Sequence, residues 1–257
     1  MFTNNFDPVL LDLGFIDIRW YSLSYIFGII FGWAYLNTYI IETKETKKDF
    51  DNYISYLIIG IIIGGRLGYV FLYNLDYYIN NIIEILYIWN GGMSFHGGLV
   101  GVILSGYFYS KKNNTNIFKY LDLVALVAPI GIFFGRLSNF INSELYGRQT
   151  DVFWGVKFIK VDDLIRHPSQ VYEAIFEGLF LFLILNFFFK NYISKSGYIS
   201  AIFLILYSVF RFIIEFTREP DEHLGFLFLN ITYGQFLCIF TLLGGLYIFY
   251  LCHEKKI

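Results

Sequence analysis

Charge is scarce in this chain of 257 residues: only 16% are Asp, Glu, Lys or Arg. Soluble domains carry about 25%, so there is too little polar surface here to keep a large globule dissolved. Cysteine is scarcer still, and two in the whole chain exclude a disulfide framework and a four-Cys metal site. Proline occurs four times and no tract is rich in Ser, Gly or Pro, which argues against disorder. A net charge of −2 gives no general attraction to nucleic acid. Lys is absent from residues 1–19, which hold Asp7, Asp12 and Asp17. That is not the basic start of a cleavable signal peptide, so the first apolar run is expected to stay in the mature protein. What is plentiful is apolar: 56% of residues are hydrophobic and 22% aromatic, and the mean hydropathy is +0.55. Part of the Phe, Tyr, Ile and Asn excess fits an AT-rich genome. The composition predicts an integral membrane protein.

A spanning helix needs roughly 20 mainly apolar residues. About seven such stretches can be read, near residues 20–41, 53–73, 93–109, 120–140, 170–189, 198–216 and 226–251. None alternates with a period of two, so the expected fold is an all-α polytopic bundle rather than a barrel. The whole chain, 1–257, is expected to form one membrane domain. Lys44, Lys47, Lys48, Lys111, Lys112, Lys119, Lys190, Lys195, Lys255 and Lys256 fall on one side if seven helices alternate. The positive-inside rule makes that side cytoplasmic, with the N-terminus outside and the C-terminus inside. Residues 141–167, on the outer side, are long and mixed enough to form a small extracytoplasmic cap.

Arginine is distributed differently. Arg19, Arg66, Arg136, Arg148, Arg166, Arg211 and Arg218 all lie in spans or outer segments. Either cation would serve orientation, but only Arg offers a planar fork for bidentate phosphate or carboxylate binding. This placement favours an anionic headgroup site in the outer half of the membrane.

Several polar groups interrupt the apolar runs. Tyr207, Arg211 and Glu215 are spaced at i, i+4 and i+8 and share a helical face, with Arg218 following. A central charge costs at least about 2.5–3.5 kcal/mol, so it persists when paired or used. Arg136, Asn139 and Ser143 share a face if their helix continues, and Asn142, Glu144 and Gly147 then belong to the turn into the cap. Arg66 lies among Gly64, Gly65 and Gly68, equally compatible with close helix packing and with a site. Gly97 and Gly101 form a weak GxxxG face, while the glycines beside His96 leave room for a substrate at an imidazole able to act as base. Ser169 is a candidate N-cap for the fifth span, whose Gln170, Glu173 and Glu177 share one face.

Taken together, these segments resemble the prolipoprotein diacylglyceryl transferase family over most of the chain. The likeness lies in Arg19-Trp20-Tyr21-Ser22-Leu23-Ser24-Tyr25, Gly65-Arg66-Leu67-Gly68-Tyr69 and Ser94-Phe95-His96-Gly97-Gly98-Leu99. It continues through Gly135-Arg136, Asn139-Phe140-Ile141-Asn142-Ser143-Glu144 and Gly147-Arg148. His167-Pro168-Ser169-Gln170 with Tyr172-Glu173, then Arg211-Phe212, Glu215-Phe216, Arg218 and Pro220-Asp221, complete the order.

The resemblance implies a bacterial inner-membrane enzyme active toward the extracytoplasmic half, with phosphatidylglycerol as donor and the lipobox Cys of a prolipoprotein signal sequence as acceptor. The implied reaction is alkyl transfer to sulfur, giving a thioether and glycerol phosphate; no cofactor or metal is implied. It places functional residues at Tyr25, His96, Arg136, Asn139, Glu144, Gly147, Tyr207, Arg211 and Glu215. Arg136 and Arg211 are expected to hold the phosphodiester, Arg66 to assist, and His96 to be the candidate base. An anion transporter lined by Arg66, Arg136 and Arg211 is the alternative, disfavoured by an odd helix count and no sign of an inverted repeat. A scaffold whose buried charges merely join helices is a third reading.

Overall fold

A computed structural model describes residues 2–14, 17–88, 91–220 and 231–254, apart from the side chains of Phe95 and His96. Its long helices coincide with the apolar runs, because inside lipid each helix satisfies its own backbone. In chain order they are α1 (Trp20–Tyr39), α2 (Lys44–Tyr73), the short α3 (Leu75–Asn80), α4 (Phe95–Lys112) and α5 (Phe118–Asn142). Then come α6 (Ser169–Glu173), α7 (Leu181–Ile184), α8 (Tyr198–Ile214) and α9 (Tyr233–His253). The stretch Ser169–Tyr192 is one helical run, π-helical at Ala174–Phe180 and Leu185–Phe189.

Among the described residues, Lys44–Tyr73, Phe118–Asn142, Ser169–Tyr192 and Tyr233–His253 are long and apolar enough to cross a membrane, and Tyr198–Ile214 is apolar but shorter. Large apolar side chains such as Phe71, Leu72, Phe187, Phe188, Phe240 and Leu243 face outward, while Glu173, Glu177 and Arg211 are buried. This inversion of the soluble pattern belongs to a mainly helical, multi-pass membrane protein.

Several boundaries differ from the sequence expectation. Lys44, Lys47 and Lys48 are helical, because Thr43 caps α2 by accepting from the Thr46 N–H and starts it about two and a half turns earlier than Tyr53 suggests. The expected start of the last span, 226–230, lies outside the described residues; α9 begins behind a Thr232–Gln235 capping box.

The chain divides into two compact units, Ile41–Leu121 and the remainder. In the first, α2 and α4 cross through Gly60, Gly64 and Gly68 against Gly97 and Gly101. A Cβ on Gly64 would lie 2.9 Å from the Gly101 Cα, and one on Gly68 would lie 2.6 Å from the Gly97 Cα. The GxxxG expectation therefore holds: Gly97 is taken up by the helix contact, whereas a Cβ on Gly98 would meet only the Ile61 carbonyl oxygen, at 4.0 Å. At the Lys-bearing end, Asp49 accepts from Lys119 Nζ at 2.7 Å and from the Tyr109 hydroxyl at 2.9 Å.

The second unit holds α1, most of α5 and everything C-terminal to it. Gly28 of α1 lies against Gly131 of α5, where a Cβ would be 2.8 Å from the Gly131 Cα. Buried Asp122 of α5 accepts from the Gly197 and Ser200 N–H groups at 2.7 and 2.8 Å, capping α8. Two small sheets were not expected from the sequence. β1 (Phe2–Asn4) pairs parallel with β4 (Val156–Phe158), which pairs antiparallel with β5 (Ile165–Arg166). β2 (Val9–Asp12) and β3 (Asp17–Arg19) pair antiparallel. Fully buried Asn4 donates to the Phe140 carbonyl at 2.6 Å, tying β1 to the last turns of α5.

Candidate active site

The second unit gathers six buried or largely buried ionisable side chains from three helical runs and the turn after α8. Arg136 comes from the last turns of α5, Glu173 and Glu177 from the run beginning at Ser169, and Arg211 and Glu215 from the end of α8. Arg218 follows. The approach of the helices is set by Gly178: a Cβ there would lie 2.8 Å from the Phe133 Cα, one turn before Arg136. A glycine at this crossing is what lets Glu177 reach Arg136.

Arg136 Nε lies 3.0 Å from Glu173 Oε2, and its Nη2 lies 3.3 Å from Glu177 Oε2. Arg211 pairs with Glu173, lies 3.7 Å from Glu177 Oε1, and meets Glu215 Oε2 at 2.6 Å. Arg218 Nη1 lies 3.6 Å from Glu173 Oε1. Glu173 is thus shared by three guanidiniums and is completely buried. Glu215 also accepts from Thr232 Oγ1 at 2.9 Å, so the N-cap of α9 fixes the carboxylate that aims Arg211. Gly234 is needed beside it, since a Cβ would lie 2.5 Å from Glu215 Oε1. Tyr207 lies one turn before Arg211, its ring stacked 5.8 Å from that of Phe203.

A second cluster follows at the end of α5. The helix stops at Asn142 and does not continue through Ser143, which adopts φ +59°. Leu145 has φ +56°, so left-handed backbone brackets Glu144. Such conformations are uncommon for residues other than glycine and cost of order 1–3 kcal/mol. Glu144 accepts from Asn139 Nδ2 at 3.2 Å and Asn142 Nδ2 at 3.3 Å, and its carbonyl accepts from Gln170. Ser169 does not cap its helix: its hydroxyl donates to the Leu145 carbonyl at 2.8 Å, and the cap position belongs to Pro168. Ser169 and Gln170 therefore hold the strained turn. Gly147 donates to the His167 carbonyl at 2.9 Å and bridges to Arg218. A Cβ at Gly147 would collide with the His167 backbone and lie 2.7 Å from the Thr217 carbonyl oxygen.

The remaining candidates are placed differently. Tyr25 bonds Tyr21 through their hydroxyls at 3.1 Å. Arg66 and His96 belong to the unit Ile41–Leu121. Arg66 is buried and donates to the carbonyls of Ile85 at 2.9 Å and Glu84 at 2.6 Å, and also to those of Gly91 and Gly92. Its fork ties the 3-10 turn Ile82–Leu86 to Gly91 and Gly92. His96 sits in the first turn of α4, and its side chain lies outside the described residues. Arg166 lies 2.6 Å from Asp162 and 3.0 Å from Glu219. Its hydrogen bond to Asp162 holds that carboxyl below the usual carboxylate range, and burial pushes the His167 imidazole down. Among the described residues, no group of three or more His, Cys, Asp or Glu is arranged to hold a metal ion.

The segments around Arg136, Glu173 and Arg211, each singled out in the sequence, meet in this one cluster. The model of the family described as prolipoprotein diacylglyceryl transferase matches residues 8–251. This chain belongs to that family. Relatives named phosphatidylglycerol–prolipoprotein diacylglyceryl transferase include one from Rickettsia bellii (strain OSU 85-389), 50% identical over 248 residues covering 95% of this chain and 94% of the relative. Another, from Ehrlichia canis (strain Jake), is 49% identical over 245 residues, 94% of each chain. A third, from Rickettsia felis (strain ATCC VR-1525 / URRWXCal2), is 48% identical over 248 residues, 95% of this chain and 96% of the relative. Membership of the diacylglyceryl transferase family makes the chain a transferase. Glu173 and Glu177 are the residues the sequence reading left out of the site, although two carboxylates one turn apart inside an apolar run were a visible signal.

Proposed function

We propose that this chain transfers the sn-1,2-diacylglyceryl group of phosphatidylglycerol to the lipobox cysteine of bacterial prolipoproteins, the first step of lipoprotein maturation. The cysteine sulfur, as thiolate, attacks the glycerol carbon bonded to the phosphate oxygen. The C–S bond forms as the C–O bond breaks, leaving a thioether and glycerol phosphate. A free thiol has a pKa near 8.5, so a proton acceptor is needed, and the leaving group needs its growing negative charge offset.

Arg136 and Arg211 hold the phosphodiester and stabilise the leaving phosphate. Glu173 and Glu215 aim them, and Tyr207 supports Arg211 from the preceding turn. Asn139, Glu144 and Tyr25 bond the headgroup, Gly147 permits the close chain approach beside it, and Arg66 braces Glu84, Ile85, Gly91 and Gly92. His96 is the proposed base. The observation that carries this reading is that Arg136 and Arg211, on different helices, converge on the same buried carboxylates.

In this reading the chain is one functional domain in the bacterial inner membrane. About seven helices span it, the N-terminus is outside and the C-terminus cytoplasmic. Residues 141–167 form an extracytoplasmic cap near the active site. Purified full-length protein, incubated with phosphatidylglycerol vesicles and a lipobox peptide, is expected to add one diacylglyceryl mass to the peptide cysteine in a linkage that hydroxylamine does not cleave. An unmodified peptide, or a hydroxylamine-labile thioester, contradicts the proposal.

A further inference from the structure

Among the described residues, the formal charges of the cluster match: Arg136, Arg211 and Arg218 face Glu173, Glu177 and Glu215. Bringing a phosphodiester to Arg136 and Arg211 adds a negative charge to a neutral, poorly solvated site, where an excess charge is most expensive. One carboxylate must release its guanidiniums. Glu215 is held twice, by Arg211 at 2.6 Å and Thr232 at 2.9 Å, with Gly234 closing the space beside it. Glu173 is tied to all three arginines.

Glu177 is the exception. Its contacts to Arg136 and Arg211 are 3.3 and 3.7 Å, each longer than the Glu173 contact to the same guanidinium. It also rides on the π-helical turn Ala174–Phe180, a rare local geometry that is frequent at functional sites. From these differences we infer that Glu177 is a positioning residue, the resting counter-anion of Arg136 and Arg211, whose place the donor phosphate takes. The inference rests on the phosphatidylglycerol reading above. Glu177 keeps both forks aimed before the lipid arrives and competes with it. A phosphate then displaces the carboxylate only with additional headgroup bonds, which favours a hydroxyl-bearing headgroup over a bare phosphodiester.

The test uses the full-length protein in phosphatidylcholine vesicles with phosphatidylglycerol varied, following thioether formation on a lipobox peptide. Glu177→Gln keeps the shape but removes the competing charge, and is expected to lower KM for phosphatidylglycerol by about fivefold. Glu177→Asp keeps the charge and is expected to retain a KM above that of the Gln variant. A purely structural role would lower kcat or folded yield and leave KM in place. A Gln variant with a KM equal to or above that of the unsubstituted protein overturns the inference. If that variant does not fold, infrared difference spectra of the unsubstituted protein decide. A shifted carboxylate band on adding phosphatidylglycerol to phosphatidylcholine vesicles supports exchange, and an unchanged band overturns it. Failure of the unsubstituted protein to form product would instead sink the parent reading.

Discussion

Arg211→Ala is expected to lower the turnover of lipobox-peptide modification by about 10²–10³-fold, the usual cost of removing one preorganised donor from a developing anion. The guanidinium is positioned on two sides before any substrate arrives. Glu215, itself held by the α9 cap, fixes one edge, and Glu173 fixes the other. No reorientation is therefore needed as charge builds on the leaving phosphate. Arg211→Lys restores charge without the planar fork and cannot keep two carboxylates and a phosphate oxygen in one plane, so intermediate activity is expected. Arg136→Ala should behave alike, because Arg136 shares Glu173 and Glu177. Initial rates across a phosphatidylglycerol series measure this, and full activity in both Ala variants would remove the phosphate clamp.

The largest stability effect is expected at Glu173. Replacing it with Gln leaves Arg136, Arg211 and Arg218 without their shared carboxylate in a fully buried position. Breaking a buried ion pair from one side costs about 3–5 kcal/mol, because the remaining charge is left uncompensated. For a chain of this size that corresponds to a fall in Tm on the order of 10 °C. Thermal unfolding in a fixed detergent or nanodisc reads it directly. A Tm within about 2 °C of the unsubstituted protein would show that Glu173 does not hold the cluster together. Glu177→Gln in the same assay should fall less, since Glu177 contacts two arginines rather than three and at longer distances.

The sequence made the helices and the charge division legible because both follow from one-dimensional rules. Apolar run length locates a span, and Tyr207, Arg211 and Glu215 share a face at any helix rotation. Which carboxylate meets which arginine depends on features with no such rule. The π-turn after Glu173 and the close crossing at Gly178 decide that Glu173 and Glu177 face Arg136. Among its glycines Arg66 is equally compatible with helix packing and with a site, and its partners prove to be the carbonyls of Glu84, Ile85, Gly91 and Gly92, 18–26 residues away. Ser169 carries a standard N-cap residue type, but the neighbouring strained turn offers its hydroxyl the Leu145 carbonyl instead. The pairing of Phe2–Asn4 with Val156–Phe158 joins stretches 154 residues apart, which no local pattern connects. Left-handed backbone at Ser143 and Leu145 is likewise set by the contacts around Glu144 rather than by residue type.

The central claim is that Arg136 and Arg211 together hold the donor phosphate. The most direct measurement is an experimental structure of the full-length protein with phosphatidylglycerol bound. The phosphate oxygens are predicted to lie about 2.7–2.9 Å from nitrogen atoms of both guanidiniums, the distance of charge-assisted hydrogen bonds. A phosphate bound by other cations, with Arg136 and Arg211 still closed on Glu173 and Glu177, would contradict the account.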